Sequence, residues 1–209
     1  MIPKIKICGI TNYADAKFCI NNEIDYIGFI FYEKSPRYIT PENARNIILK
    51  IGKTKIQFVG VFVNKSLEDV VHISNLCGLD LLQIHGDENV SYFENIKKFT
   101  DKKIIKTIKI KDENSLLKMK LIGADFFLFD SFSKRKYGGS GIEINFKQNK
   151  DINKLFFIAG GLNIDNVEKI IKSINPYAVD ISSGVEKKPG IKDYNKIFEI
   201  IKIIRGVNF

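Results

Sequence analysis

Short apolar runs rich in Ile, Val and Phe recur along the chain, and longer stretches with helical spacing of apolar positions lie between them. That alternation predicts βα units and a parallel sheet. Eight strands are expected, near Lys4 to Cys8, Asp25 to Phe31, Gln57 to Val63, Asp80 to Ile84, Lys103 to Ile108, Asp125 to Asp130, Leu155 to Ala159 and Ala178 to Ile181. Two helices are legible in detail. Ser66 with Asp69 three residues on marks a helix start, and Leu67, Val70 and Val71 make its apolar stripe. Near the end, Ile197, Ile200, Ile201 and Ile204 follow the i, i+3, i+4, i+7 spacing of a helix packed on a sheet.

The apolar runs also end alike, in a chemically capable residue or a turn former. They deliver Cys8-Gly9, His85-Gly86, Asp130, Ala159-Gly160-Gly161 and Asp180 followed by Ser182-Ser183-Gly184. Function collected at the carboxyl ends of buried parallel strands is best explained by a (β/α)8 TIM barrel, whose site is built from the loops after its strands. Eight units in 209 residues make a compact barrel, near the lower size of about 200 residues. The sixth unit is the weakest, because the polar, glycine-containing stretch from Ser131 to Gly141 leaves room only for a short or irregular helix before Leu155. A doubly wound open sheet of five or six strands is the alternative. No linker or low-complexity tract interrupts the chain, so residues 1–209 are expected to form one catalytic domain.

Composition narrows the class. Three cysteines, without CxxC or Cys/His ligand spacing, argue against a disulfide framework and a zinc site, and suggest a reducing compartment. The chain has no basic-then-apolar leader and no apolar run near the roughly 20 residues of a membrane span, which predicts a cytoplasmic protein without a membrane partner. The formal charge of +9 would favour an anionic partner. The lysines are scattered among Ile and Asn, with no basic tail and no basic segment interleaved with aromatics, so nucleic acid is not expected.

Candidate chemistry follows from the strand ends. Glycine turns and short helix starts present backbone N–H groups to anions, and barrels commonly place a phosphate site after the seventh and eighth strands. Gly160-Gly161, Ser182-Ser183-Gly184 and the sixth loop's Gly138-Gly139-Ser140-Gly141 fit that role. Cys8 and Asp130 end the first and sixth strands, so a barrel aims both at one mouth as an acid/base pair. A thiol of ordinary pKa is only a few per cent thiolate at neutral pH. Lys6, two residues back on the same strand face, is one candidate for the positive charge that would activate Cys8. Ser35-Pro36-Arg37 presents an arginine able to grip a carboxylate with two parallel hydrogen bonds. His85 and Asp180, also at strand ends, could orient substrate, whereas Cys19, Cys77 and His72 fall in helical patterns and carry no expected function.

With these residues collected, the chain resembles the phosphoribosylanthranilate isomerases of tryptophan biosynthesis nearly end to end. The resemblance rests on Lys6-Ile-Cys-Gly-Ile-Thr11, Gly28-Phe-Ile-Phe-Tyr32, Ser35-Pro-Arg-Tyr38, Val59-Gly-Val-Phe-Val63 and Leu82-Gln-Ile-His-Gly-Asp-Glu88, in that order. It continues through Ala159-Gly-Gly-Leu162, Val179-Asp-Ile-Ser-Ser-Gly-Val-Glu186 and Pro189-Gly-Ile-Lys-Asp193. It implies an Amadori rearrangement of N-(5-phosphoribosyl)anthranilate to 1-(2-carboxyphenylamino)-1-deoxyribulose 5-phosphate, with no cofactor and no metal. It further implies Asp130 as general acid, Cys8 as general base, Arg37 on the anthranilate carboxylate, and the glycine and serine loops, with Gly139, Gly141, Gly160, Gly161, Ser182, Ser183 and Gly184, around the phosphate. The implied partner is a small phosphorylated substrate, and the chain is expected as a monomer or homodimer. The basic cluster Lys134 to Lys136 departs from the family's loop. It could attract the anionic substrate or merely solvate the loop.

The related sugar isomerase of histidine biosynthesis resembles this chain in fold and reaction, but uses carboxylates as both acid and base, and Cys8 stands where that reading wants an aspartate. Its substrate carries two phosphates, and the early loops offer no glycine-rich counterpart to the late ones. Indole-3-glycerol-phosphate synthase, a further barrel relative, relies on lysine and glutamate chemistry that does not map here. A non-catalytic barrel binding phosphorylated metabolites, or a basic module binding nucleic acid, are the readings outside catalysis.

Overall fold

The computed structural model describes residues 2–109, 122–130 and 155–207. Eight parallel strands close into a barrel in chain order. They are β1 Lys4–Cys8, β2 Tyr26–Ile30, β3 Gln57–Phe62, β4 Leu81–Ile84, β5 Lys103–Lys109, β6 Phe126–Asp130, β7 Phe156–Ile158 and β8 Ala178–Ile181. Closure is made by β1 against β8, with Lys6 opposite Asp180, which excludes the open-sheet alternative. The described helices are α1 Tyr13–Asn21, α2 Pro41–Ile51, α3 Leu67–Cys77, α4 Val90–Phe99, α5 Val167–Ile174 and α6 Tyr194–Gly206. Among the described residues no helix is long and apolar enough to cross a membrane. The expected irregular connection of the sixth unit, with Gly139, Gly141 and Lys134 to Lys136, lies outside the described residues.

Two apolar clusters divide the structure. The larger packs the outward strand positions, such as Ile5, Ile7, Ile27 and Phe29, against the helices. The smaller takes alternate positions of the strands, Tyr26, Val59, Leu81, Ile105, Phe126, Leu128, Phe157 and Ala178, and fills the barrel interior. At the amino-terminal end its rings lock edge to face: Tyr26 on Phe157 at 5.4 Å and Phe126 on Phe157 at 5.7 Å between centroids. Tyr177 stacks on Phe126, and its hydroxyl lies 3.1 Å from that of Tyr26.

The observed strands β2, β4 and β6 each start one residue later than the sequence pattern suggests, because Asp25, Asp80 and Asp125 stand just before them. Each carboxylate accepts the backbone N–H of the preceding strand's second residue: Asp25 from Ile5 at 2.8 Å, Asp80 from Phe58 at 2.8 Å and Asp125 from Ile104 at 2.7 Å. An aspartate before each of β2, β4 and β6 thus ties that strand to the odd strand before it at the barrel floor. Helix starts follow capping chemistry: Ser66 accepts from the Asp69 N–H, and Asp193 accepts from Asn195 and Lys196 at the start of α6. The stripe of α3 runs through Val70, Ile73 and Cys77, while that of α6 is Ile197, Ile200 and Ile204 with Ile201 half-buried at its edge.

A further element follows β8: a 3-10 turn over Ser183–Val185, then an antiparallel hairpin of β9 Glu186–Lys188 and β10 Ile191–Lys192. The hairpin is fastened to the start of the chain. Thr11 donates to the Gly190 carbonyl, and the Lys192 N–H donates to Asp15 at 3.0 Å.

Candidate active site

Strand alternation that buries rings at the floor delivers polar groups at the mouth. On β1 the inward series is Lys4, Lys6, Cys8; on β8 it is Ala178, Asp180, Ser182; on β4, Leu81, Gln83 and His85; on β6, Phe126, Leu128 and Asp130. Lys6 is fully buried and its ammonium bridges both Asp180 oxygens, at 3.0 and 2.9 Å. Burial opposes the Lys6 charge, but Asp180 and then Cys8 outweigh it and raise its pKa. Lys6 therefore stays protonated beside the thiol.

Cys8 lies next to Gly28 across the β1–β2 ladder, and a Cβ at Gly28 would come within 2.8 Å of the sulfur and 3.2 Å of Lys6 Nζ. Only glycine leaves that volume to the two side chains. Burial pushes the Cys8 thiol up, with Lys6 opposing and Asp180 adding to the rise. Lys6 thus acts in the direction expected from the sequence, yet burial wins, and the resting group is a thiol. Cys19 and Cys77, buried in helices, are pushed up by burial to about 12 and about 11. Neither lies among the groups at the mouth.

Across the mouth, His85 Nε2 stands 3.3 Å from Asp130 Oδ2. Gln83, missed in the sequence, spans Thr107 at 3.3 Å and His85 Nδ1 at 3.4 Å, fixing the imidazole from below. The loop carrying His85 is braced by a buried pair, Lys106 with Glu88 at 3.0 Å, and Lys106 also donates to the Gly86 carbonyl. Asp180 feels the charges of both Asp130 and His85, so the two acidic strand ends share one electrostatic site with Lys6.

Arg37 crosses from the loop after β2, its Cδ lying where a Gly9 side chain would be, 2.7 Å from that Cβ position. Its guanidinium forks onto Glu186 of the hairpin, Nε to Oε1 at 2.9 Å and Nη2 to Oε2 at 2.7 Å. Lys192, its side chain fully buried, donates to Glu186 at 2.8 Å and to the Cys8 carbonyl at 2.6 Å. Glu186 and Lys192 have no role from sequence reasoning; the Pro189-Gly190 pair between them is the turn signal that points to a hairpin.

The late glycines cluster. Gly160 and Gly161 have φ of +95° and +67°, a left-handed backbone that glycine adopts without strain. A Cβ on Gly184 would fall 1.9 Å from the Leu162 carbonyl oxygen, so the turns after β7 and β8 touch through that glycine. Ser182 uses its hydroxyl to brace β1, donating to the Cys8 carbonyl at 3.1 Å, and Ser183 is exposed. Cys8, Asp130 and Asp180 in the last residues of their strands, and His85, Arg37, Gly160, Gly161, Ser182, Ser183 and Gly184 in the loops that follow, thus all lie at the carboxyl-terminal end of the barrel. Among the described residues, no group of three or more His, Cys, Asp or Glu is placed to hold a metal ion.

Comparison with known proteins agrees with this geometry. Residues 5–203 match the family model described as N-(5'phosphoribosyl)anthranilate (PRA) isomerase. The N-(5'-phosphoribosyl)anthranilate isomerase of Thermoanaerobacter pseudethanolicus is 43% identical over 206 residues, covering 98% of both chains. A phosphoribosyl anthranilate isomerase solved with reduced 1-(o-carboxyphenylamino)-1-deoxyribulose 5-phosphate superposes with a TM-score of 0.85 at 33% identity, covering 98% of this chain and 100% of that one. A monomer of the dimeric enzyme from Thermotoga maritima gives 0.83 at 33% identity, with the same coverage. An eight-stranded barrel with a thiol, paired carboxylates and glycine turns at its mouth, matched in sequence over almost its whole length, belongs to the N-(5'-phosphoribosyl)anthranilate isomerase family.

Proposed function

We propose that this protein isomerises N-(5'-phosphoribosyl)anthranilate at the barrel mouth, with Asp130 as general acid and Cys8 as general base. The observation that carries the assignment is the convergence of two differently held groups at one end of the barrel: a buried thiol beside the Lys6 ammonium, and a half-exposed carboxyl beside His85. Protonated Asp130 gives its proton to the ribose ring oxygen as the C1′–oxygen bond breaks, leaving an iminium. The Cys8 thiol, once it has given its proton to solvent beside the Lys6 ammonium, takes the proton from C2′ as a thiolate, forming the enolamine. Loss of the enol proton and protonation at C1′ give the ketone. Lys6, beside Cys8, favours the thiolate. Acid and base groups of this kind contribute about 10²- to 10⁴-fold each.

Arg37 is assigned to the anthranilate carboxylate. The turns containing Gly160, Gly161 and Ser182 to Gly184 are assigned to the phosphate, in keeping with the loops after the last two strands of such barrels. The expected contribution of Gly139 and Gly141 belongs to the sixth loop. The reaction needs no cofactor, since every step moves a proton. A small phosphorylated substrate is the partner, and the ligand of the solved relative is of that class. A homodimer is favoured over a monomer by the dimeric relative. Three free cysteines suit a cytoplasmic setting.

Fluorescence-monitored turnover of freshly made phosphoribosylanthranilate tests the assignment on the wild type, Cys8→Ala and Asp130→Asn, with folding checked by circular dichroism. Rapid loss of substrate with the wild type, abolished in both folded variants, is expected. A folded wild type that does not accelerate the reaction overturns the function, and the histidine-pathway substrate is then the one to try.

A further inference from the structure

Glu186 has three cationic or N–H groups turned on it and no part in the proton transfers. It is 7% exposed, and its oxygens accept from Arg37 Nε and Nη2, from Lys192 Nζ at 2.8 Å and from the Gly190 N–H at 3.2 Å. Burial alone would raise its pKa, but the hydrogen bonds from Arg37 and Lys192 outweigh burial and lower it, so it is a carboxylate at working pH. A guanidinium has five N–H donors in a rigid plane. Glu186 engages the Nε/Nη2 edge, which leaves the end formed by Nη1 and the second Nη2 hydrogen for another carboxylate.

Charge explains why a second cation stands behind the glutamate. An Arg37–Glu186 pair alone is neutral and has little hold on an anion. With Lys192 at 2.8 Å, the row contains two cationic side chains and one carboxylate, and the free end of Arg37 again attracts negative charge. Lys192 is also bonded to the Cys8 and Ser182 carbonyls, at 2.6 and 3.3 Å, so the row is registered to the end of β1 that carries the proposed base.

We propose that Glu186 is a positioning residue. It holds the Arg37 guanidinium edge-on so that the free end forms a fixed clamp for the substrate's aromatic carboxylate, and this gives the site its preference for a carboxylated aryl amine. The inference rests on the isomerase reading above and adds to it the residue that sets this preference. A merely structural Glu186 would support the hairpin and affect all substrates alike.

The test compares kcat/KM for N-(5'-phosphoribosyl)anthranilate with that for N-(5'-phosphoribosyl)aniline, which lacks the carboxylate. The proteins are the wild type, Arg37→Ala, Glu186→Gln and the double variant. Glu186→Gln is expected to lower kcat/KM for the carboxylated substrate about ten- to a hundredfold, through KM, the size of one lost charge-assisted hydrogen bond. The aniline substrate should change by less than about twofold. In the Arg37→Ala background, Glu186→Gln should leave the preference unaltered. Glu186→Asp, which keeps the charge but draws it back by one methylene, should show the same loss at smaller size, and it carries the test if the Gln variant does not fold. An unchanged preference in the folded Glu186 variants, or equal losses on both substrates, overturns the inference while leaving the isomerase assignment standing. So does a wild type that turns over both substrates equally. A wild type inert toward both overturns the assignment and the inference with it.

Discussion

The floor and the mouth of this barrel are built from the same strands and share almost nothing in chemistry. At the floor, Tyr26, Phe126, Phe157 and Tyr177 interlock as rings, and aspartates just outside the strands satisfy backbone N–H groups. Two to four residues further along, the same inward faces present Gly28, Asp130, Ala159 and Asp180. Large rings below and small or charged groups above leave room at the mouth, and the charges there are held by partners from different strands. The lesson is that one period-two pattern can build a plug and a site in succession. The stability cost of burying Lys6, Asp180, Glu186 and Lys192 is offset by apolar packing elsewhere.

The strongest perturbation of that division is Lys6→Met. It leaves Asp180 buried without its cation and should destabilise the protein by about 3–5 kcal/mol at neutral pH, measured by denaturant unfolding. In the variant the folded-state pKa of Asp180 rises further above its ordinary 3.8, so stability is fullest below that value and is lost as pH rises through the folded pKa. The deficit should therefore shrink in acid. Lys6 lowers the Cys8 pKa in the wild type, so the pH profile of Cys8 alkylation should move to higher pH in the variant. An unmoved profile denies Lys6 any hand in the thiol. At the floor, Phe157→Ala should cost about 3–5 kcal/mol by opening a cavity under three other rings, with turnover per folded molecule retained. Asp80→Ala removes the carboxylate that accepts the Phe58 N–H, and a loss of about 1.5–3 kcal/mol is expected for a hydrogen bond to a charged acceptor. Tyr26→Phe, which takes away only the hydroxyl contact with Tyr177, should cost about 1 kcal/mol in the same measurement.

Strand positions were the most legible feature, since buried parallel strands are short apolar runs whatever surrounds them. β1 and β8 have the bounds that the pattern suggests, and the others differ by a residue at one or both ends. The aspartates before β2, β4 and β6 read as strand starts because sequence shows a polar residue at a boundary but not what its side chain accepts. Strand ends likewise exposed Cys8, Asp130, His85 and Asp180 as candidates. Their pairing, Lys6 with Asp180 and His85 with Asp130, depends on barrel closure and on neighbours up to 174 residues apart. Glu186 and Lys192 were illegible as site residues for a related reason. A lysine near a Pro-Gly turn normally reads as solvated surface, and only the hairpin folding back over Thr11 and Asp15 buries this one.

The most direct test of the division between floor and mouth measures melting and phosphoribosylanthranilate turnover on the same samples of wild type, Asp130→Asn and Phe157→Ala. The account predicts that Asp130→Asn melts within about 2–4 °C of the wild type and loses turnover. Phe157→Ala should melt about 10 °C lower yet turn over substrate normally per folded molecule at low temperature. Activity surviving in Asp130→Asn, or disappearing in folded Phe157→Ala, would contradict it.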